Sequence, residues 1–157
     1  MTPAINVAKK AKINFQIHEY EHDPDAESYG EEAAAKMGIA AERVFKTLVV
    51  ARDEKELFVA VVPVSSRLDL KAFAKALGLK KVAMADKNIV HRVTGYVLGG
   101  CSPLGQKKRL KTVIDKSAQD YDSIFVSAGR RGLDIELNPD DLAGLTGAQF
   151  KKITVTK

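Results

Sequence analysis

The chain has 157 residues, the size of one domain, and could bury roughly 68–70% of the surface its unfolded form exposes; 45% hydrophobic and 29% charged residues exclude disordered, collagen-like and coiled-coil chains. No apolar run approaches the ~18 residues of a membrane span, the first ten residues lack signal-peptide order, and the one cysteine, Cys101, cannot form an internal disulfide, so a soluble cytoplasmic protein is expected. The net charge of +5 is uneven: residues 67–116 carry 12 basic against 3 acidic side chains, while Glu19 to Glu32 carry seven acids and no Lys or Arg.

Thr2-Pro3 reads as N-cap and first helical position of a short helix ending near Lys12. Phe15 to Tyr20 alternates with period two, as a strand does, until Asp23-Pro24 stops it. Ser28 with Glu31 forms a capping box for a helix that ends at Gly38. Val44 to Ala51 and Leu57 to Val64 are β-rich runs that read as a hairpin or a neighbouring pair. Asp69 caps a helix that ends at Gly78, and Asp86 a second that ends near Gly95. Gly95 to Arg109 is a loop with four glycines and Pro103 around a short apolar core. Lys111 to Asp115 and Ser123 to Ser127 read as strands, and Gly129-Arg130-Arg131-Gly132 turns the second into Leu133 to Leu137. Asn138-Pro139 opens a last helix, after which Phe150, Ile153 and Val155 close the chain. Helices and strands mix without a regular βαβ alternation, so the pattern predicts an α+β fold with a largely antiparallel or mixed sheet. With neither repeat nor linker, residues 1–157 read as one domain.

Several residues invite a chemical reading. Lys46 lies in a run whose two faces, Val44, Leu48, Val50 and Phe45, Thr47, Val49, Ala51, are both apolar enough to be buried. An ammonium there must pair with an acid, line a pocket or hold an anion, unless the strand is an edge from which the lysine reaches water. His18-Glu19-Tyr20-Glu21-His22 spells the zinc-hydrolase motif H-E-x-x-H, but that motif needs a helix, and here it follows a period-two run. A metal site is therefore not expected. Gln16, His18 and Tyr20 share one strand face, and Tyr20 is a candidate phenol donor. Gly99-Gly100 can bring backbone N–H groups close to a ligand, or can be a plain turn. Ser102 lacks the G-x-S-x-G context of a hydrolase nucleophile, and Cys101 reads more readily as a small buried hydrophobe than as a nucleophile. The basic stretch suggests a polyanionic partner, nucleic acid above all, or lysines that merely solvate helix faces.

The Lys46-Thr47-Leu48 strand, the Asp69-Leu70-Lys71 helix start, the block Thr94-Gly95-Tyr96-x-x-Gly99-Gly100-x-Ser102-Pro103-Leu104-Gly105-Gln106-Lys107-Lys108-Arg109 and Arg131-Gly132-Leu133-Asp134-Ile135-Glu136 together resemble the YbaK/EbsC family. Its members are similar to the editing domain inserted in bacterial prolyl-tRNA synthetase. The likeness spans essentially the whole chain. It implies an α+β fold with a mixed, strongly twisted barrel-like sheet flanked by helices, and clearance of mischarged Cys-tRNA(Pro) through attack by the substrate's own thiol. It also implies no metal or organic cofactor, tRNA as partner, an association with prolyl-tRNA synthetase and no membrane. Carried over by position, the catalytic set is Lys46, Tyr20, Gly99, Gly100 and Asp134, with substrate contacts from Thr47, Ser102, Ser127 and Gly129. Lys107, Lys108 and Arg109 would hold the tRNA backbone. Two positions depart from the pattern: Cys101 stands where an aliphatic residue is expected, and Ala128 where glycine is. A deacylase for another small residue such as alanine, and a non-catalytic tRNA- or synthetase-binding module, remain as alternatives; the second gives no reason for a lysine inside an apolar strand.

Overall fold

A computed structural model describes residues 1–26, 28–97 and 99–157. The chain begins with helix α1 (Pro3–Ala11), whose N-cap Thr2 accepts from the Ile5 N–H and whose Pro3 occupies the first turn. Strand β1 (Phe15–Glu19) and helix α2 (Tyr29–Met37) follow, the latter closed by Gly38 in the left-handed region at φ 68°. Ser28 is the N-cap of α2, but its side chain makes no capping hydrogen bond, so the expected capping box does not form. Glu31 instead pairs with Lys157, Nζ to Oε1 at 2.6 Å.

The two β-rich runs form the hairpin β2 (Phe45–Arg52) and β3 (Glu56–Pro63), antiparallel from Phe45↔Pro63 to Arg52↔Glu56. Strand β4 (Ser66–Leu68), helix α3 (Leu70–Ala76), the two-residue strand β5 (Ala83–Met84) and helix α4 (Lys87–Thr94) come next. Asp69 and Asp86 cap the two helices as the sequence predicts. After the glycine loop come β6 (Lys111–Asp115), β7 (Ile124–Arg130), β8 (Leu133–Leu137), α5 (Pro139–Thr146), β9 (Gln149–Lys151) and β10 (Thr154–Thr156). Strand β7 runs three residues beyond its predicted end, because a bulge between Ser127 and Arg130 absorbs Gly129 and confines the turn to Arg131-Gly132. The short β4, β5, β9 and β10 carry too few residues for period-two alternation to mark them.

The fold is α+β, as expected. A five-stranded mixed sheet, ordered β5-β2-β3-β6-β9, holds antiparallel pairs on the β2 side and parallel pairs on the β6 side. A three-stranded antiparallel sheet, β1-β8-β7, and the pair β10-β4 complete the β-structure. The parallel bridge Val44↔Phe125 links the two larger sheets; among the described residues they do not close into a barrel. The main core lies between these sheets and α1, around Phe45, Val59, Val61, Ile114, Val126 and Ile135, while Val50, Phe58, Val62, Phe73 and Ile153 fill the other face of the five-stranded sheet. No helix among the described residues is long and apolar enough to cross a membrane.

Candidate functional site

The length of β5 creates the site. It pairs only with Val50 and Ala51, so the first half of β2 has no strand on that flank. A cavity of about 310 Å³ occupies the gap, walled by Val44 to Leu48, Tyr20, the start of α2 at Ser28, Tyr29 and Gly30, the Gly99 and Cys101 loop, and Ser127 with Asp134. A larger hollow of about 810 Å³ runs past Asp53, Lys81 and Met84, but those side chains are exposed and none of the sequence candidates lies there.

Lys46, register partner of Val62, is half-buried, and no described carboxylate pairs with it. Burial lowers its proton affinity, the charge of Lys157 adds to the effect, and Glu31 partly offsets both. Its neighbour Thr47 points to the opposite strand face, yet both line the cavity because the cavity opens at the strand's edge. The Thr47 Oγ1 is buried without a hydrogen-bond partner among the described residues. Asp134 and Ser127 are cross-strand partners of β8 and β7. Asp134 is 5% exposed, no described group donates to its carboxylate, and burial pushes it up to about 7. Tyr20 donates its backbone N–H to the Gly132 carbonyl at 3.0 Å. Its phenol is raised by burial and then by the charge of Asp134.

The two glycines take different positions. Gly99, at φ 82°, lines the cavity so tightly that an added Cβ would lie 2.6 Å from Tyr29 Cδ2 and 2.7 Å from Arg131 Nε. Gly100 is set back: its N–H donates to the Val97 carbonyl at 3.0 Å, and an added Cβ would strike the Arg130 backbone at 2.8 Å. The expectation that both amides face a substrate therefore narrows to Gly99. Leu98, between Val97 and this pair in the predicted apolar stretch of the loop, lies outside the described residues.

Two of the expected substrate contacts lie off the cavity wall. Ser102 is fully buried away from the cavity, its Oγ accepting the Leu104 N–H at 3.2 Å and its carbonyl accepting Gln106 Nε2 at 3.0 Å. Gly129 sits in the β7 bulge at φ 115°, where a Cβ would press on Thr2 and Tyr96 at 3.0 Å, and its N–H donates to Ser127 Oγ at 3.1 Å. Cys101 does line the cavity, but burial pushes its thiol up to about 11, far from a thiolate at neutral pH. His18 bonds Glu136 on β8 and His22 bonds Glu32 on α2, each at 2.9 Å, so the two histidines of H-E-x-x-H face different carboxylates. Lys107, Lys108 and Arg109 are exposed. The Lys107 and Lys108 amides donate to the Thr94 and Val93 carbonyls, which ties them to the end of α4.

Sequence reading missed the α2 contribution. Tyr29 is the first residue of α2, and nothing in its spacing marks it as a cavity wall; it is brought there because Gly30 lets the helix settle onto Val64, where a Cβ would lie 2.3 Å from Cγ1.

Residues 23–145 match the family described as aminoacyl-tRNA editing domain. A protein of Enterococcus faecalis provisionally named Cys-tRNA(Pro)/Cys-tRNA(Cys) deacylase EbsC is 42% identical over 153 residues, 98% of this chain and 93% of that protein. A proline–tRNA ligase of Geobacter sp. is 30% identical over 98 residues, 62% of this chain and 17% of the ligase. The fold is shared with a solved structure, provisionally described as a trans-editing enzyme for prolyl tRNA synthetase, at a TM-score of 0.82, 22% identity and 99% coverage of each chain.

Proposed function

Since this chain belongs to the aminoacyl-tRNA editing domain family and is thereby an aminoacyl-tRNA deacylase, we propose that it clears mischarged Cys-tRNA(Pro) in trans, with the cysteine's own thiol as the attacking group. One observation carries the reading: the cavity wall sets the Lys46 ammonium, which no described carboxylate pairs, beside the Gly99 turn, and its described residues include no activated nucleophile. Cys101 holds its proton, Ser127 Oγ accepts the Gly129 N–H but donates to no described base, and no histidine lines the wall. An aminoacyl ester is already reactive, so positioning and electrostatics suffice if the attacking group comes with the substrate.

On this reading the Lys46 ammonium, paired with no described carboxylate, anchors the terminal ribose-phosphate, and the Gly99 N–H faces the carbonyl oxygen of the ester. Thr47 Oγ1 gains the partner that it lacks. Tyr20 orients the reacting end. Asp134, with a proton affinity near neutrality, accepts the thiol proton. Sulfur then bonds to the carbonyl carbon, the carbon–oxygen ester bond breaks, and the proton passes to the departing ribose oxygen, releasing free tRNA and a four-membered cysteine thiolactone. Lys107 and Lys108 hold the acceptor-stem phosphates electrostatically, and Arg109, whose guanidinium lies by Gly147, adds positive charge beside them. Association with prolyl-tRNA synthetase would place the deacylase where the mischarged product leaves.

The test is a substrate whose sulfur is capped. S-methylcysteinyl-tRNA(Pro) should bind and resist deacylation, since its sulfur cannot lose a proton. Its release at the rate of the free cysteinyl ester would show that water or a protein group attacks.

A further inference from the structure

His22 closes the H-E-x-x-H run, and its partners in the structure point to another role. The Glu32 side chain, 7% exposed, uses both oxygens: Oε1 meets His22 Nδ1 at 2.9 Å and Oε2 accepts the Asp23 N–H at 2.8 Å. On the other edge of the imidazole, Arg131 Nη1 lies 3.2 Å from His22 Nε2. A guanidinium can only donate, so Nε2 must accept and the ring proton must sit on Nδ1, donated to Glu32. The imidazole thus joins α2 to the β7–β8 turn with a defined polarity. Arg131 in turn stacks on Tyr29, its Cζ 3.8 Å from the ring centroid, and His22 meets the same ring edge-on at 6.4 Å. Tyr29 and Arg131 are the two groups against which Gly99 is pressed.

We propose that His22, oriented by Glu32, is a positioning residue of the deacylation site: it holds Arg131 on Tyr29, and this stack keeps the Gly99 turn in the cavity wall. The proposal rests on the reading of this cavity as the deacylation site. None of Glu32, His22 and Arg131 lines the cavity, so their effect passes through Tyr29 and Gly99. Loss of the imidazole removes one contact from Glu32 and one from Arg131, loosens the Arg131 stack on Tyr29, and lets the Gly99 N–H drift from the carbonyl. Misplacement of that donor by about 1 Å costs on the order of 10²-fold in rate.

The experiment measures kcat and KM for Cys-tRNA(Pro) with the wild type, His22→Ala, His22→Gln, Arg131→Ala and the double variant. A wild type that releases no cysteine would overturn the functional reading and this inference with it. With an active wild type, His22→Ala should lower kcat about tenfold or more while KM stays within about twofold. Glutamine, whose amide can donate to Glu32 and accept from Arg131, should restore most of the rate, and the double variant should be no slower than Arg131→Ala alone. A His22→Ala protein with wild-type kcat, a loss confined to melting temperature or KM, or losses that multiply in the double variant would each overturn the proposal. Should His22→Ala fail to fold, His22→Phe, which keeps the ring volume and removes both hydrogen bonds, is read against the same outcomes.

Discussion

Asp134 is the residue whose environment does most to set the pH behaviour. Its carboxyl is raised from 3.8 to about 7 by burial, so the folded protein binds this proton more tightly than the unfolded chain does. Stability contributed by the neutral form is complete below 3.8 and is lost as pH rises through about 7. Asp134→Asn should therefore be more stable than the wild type at pH 8 by on the order of a few kcal/mol, with a higher melting temperature, and lose that advantage at pH 4. The same variant reports on catalysis. In the wild type kcat/KM should climb through pH 7 as the carboxylate appears; in Asp134→Asn that limb should vanish and the rate fall by about 10²–10⁴. Lys46→Ala makes the complementary case, since removal of a half-buried, unpaired ammonium should abolish most activity at an unchanged or raised melting temperature. Circular dichroism melts beside deacylation assays check both. Lys46 was legible in the sequence because a charge in an apolar strand has few places to go. The proton affinity of Asp134 was not, because it comes from burial against segments far away in sequence, β1 among them.

At the scale of elements, the Gly99–Gln106 loop works as a folded unit. Tyr96 donates its hydroxyl to the Leu104 carbonyl at 2.6 Å, and Ser102 ties the turn from inside. Ser102→Ala should leave the Leu104 N–H unsatisfied in a dry site and lower stability by about 1–3 kcal/mol, with KM unchanged, as a thermal melt and a saturation curve can check. Glycine count alone could not separate a structural serine from a binding one, because both occupations put the same residues in a tight loop. Helix caps fared better: Thr2, Asp69, Asp86 and Asn138 all cap as expected, since capping is a contact within a few residues. Ser28 is the instructive failure. Its helix start serves as a cavity wall, and Glu31, expected to complete the capping box, is drawn to Lys157 at the far end of the chain.

Over the whole molecule the charge asymmetry of the sequence becomes an arrangement. Lys107 and Lys108 project at the end of the loop that carries Gly99, pinned to α4 by their own amides. Arg109 is different, because its guanidinium lies against Gly147, the C-cap of α5, where a cation also completes the helix dipole. Charge reversal at Lys107 and Lys108 should raise KM for tRNA and reduce the salt-dependence slope by about 0.7–0.9 for each phosphate that is no longer neutralised. KM measured across a salt series reads this directly, and an unchanged slope would place the RNA elsewhere. The α+β class was legible from the interspersed elements, whereas the pairing of β3 with β6 and of β1 with β8 was not, since strand order depends on contacts between distant segments.

Attack by the substrate's own thiol requires selection of a thiol-bearing residue, and single-turnover deacylation of Cys-tRNA(Pro), Ala-tRNA(Pro) and Ser-tRNA(Pro) by the wild-type protein tests it most directly. These side chains are nearly equal in size, so a cavity that selects by volume alone would separate them by no more than about 10–200-fold. Cyclisation through sulfur predicts rapid release of cysteine and little release of alanine or serine above the uncatalysed rate. Equal clearance of Ala-tRNA(Pro) and Cys-tRNA(Pro) would contradict it.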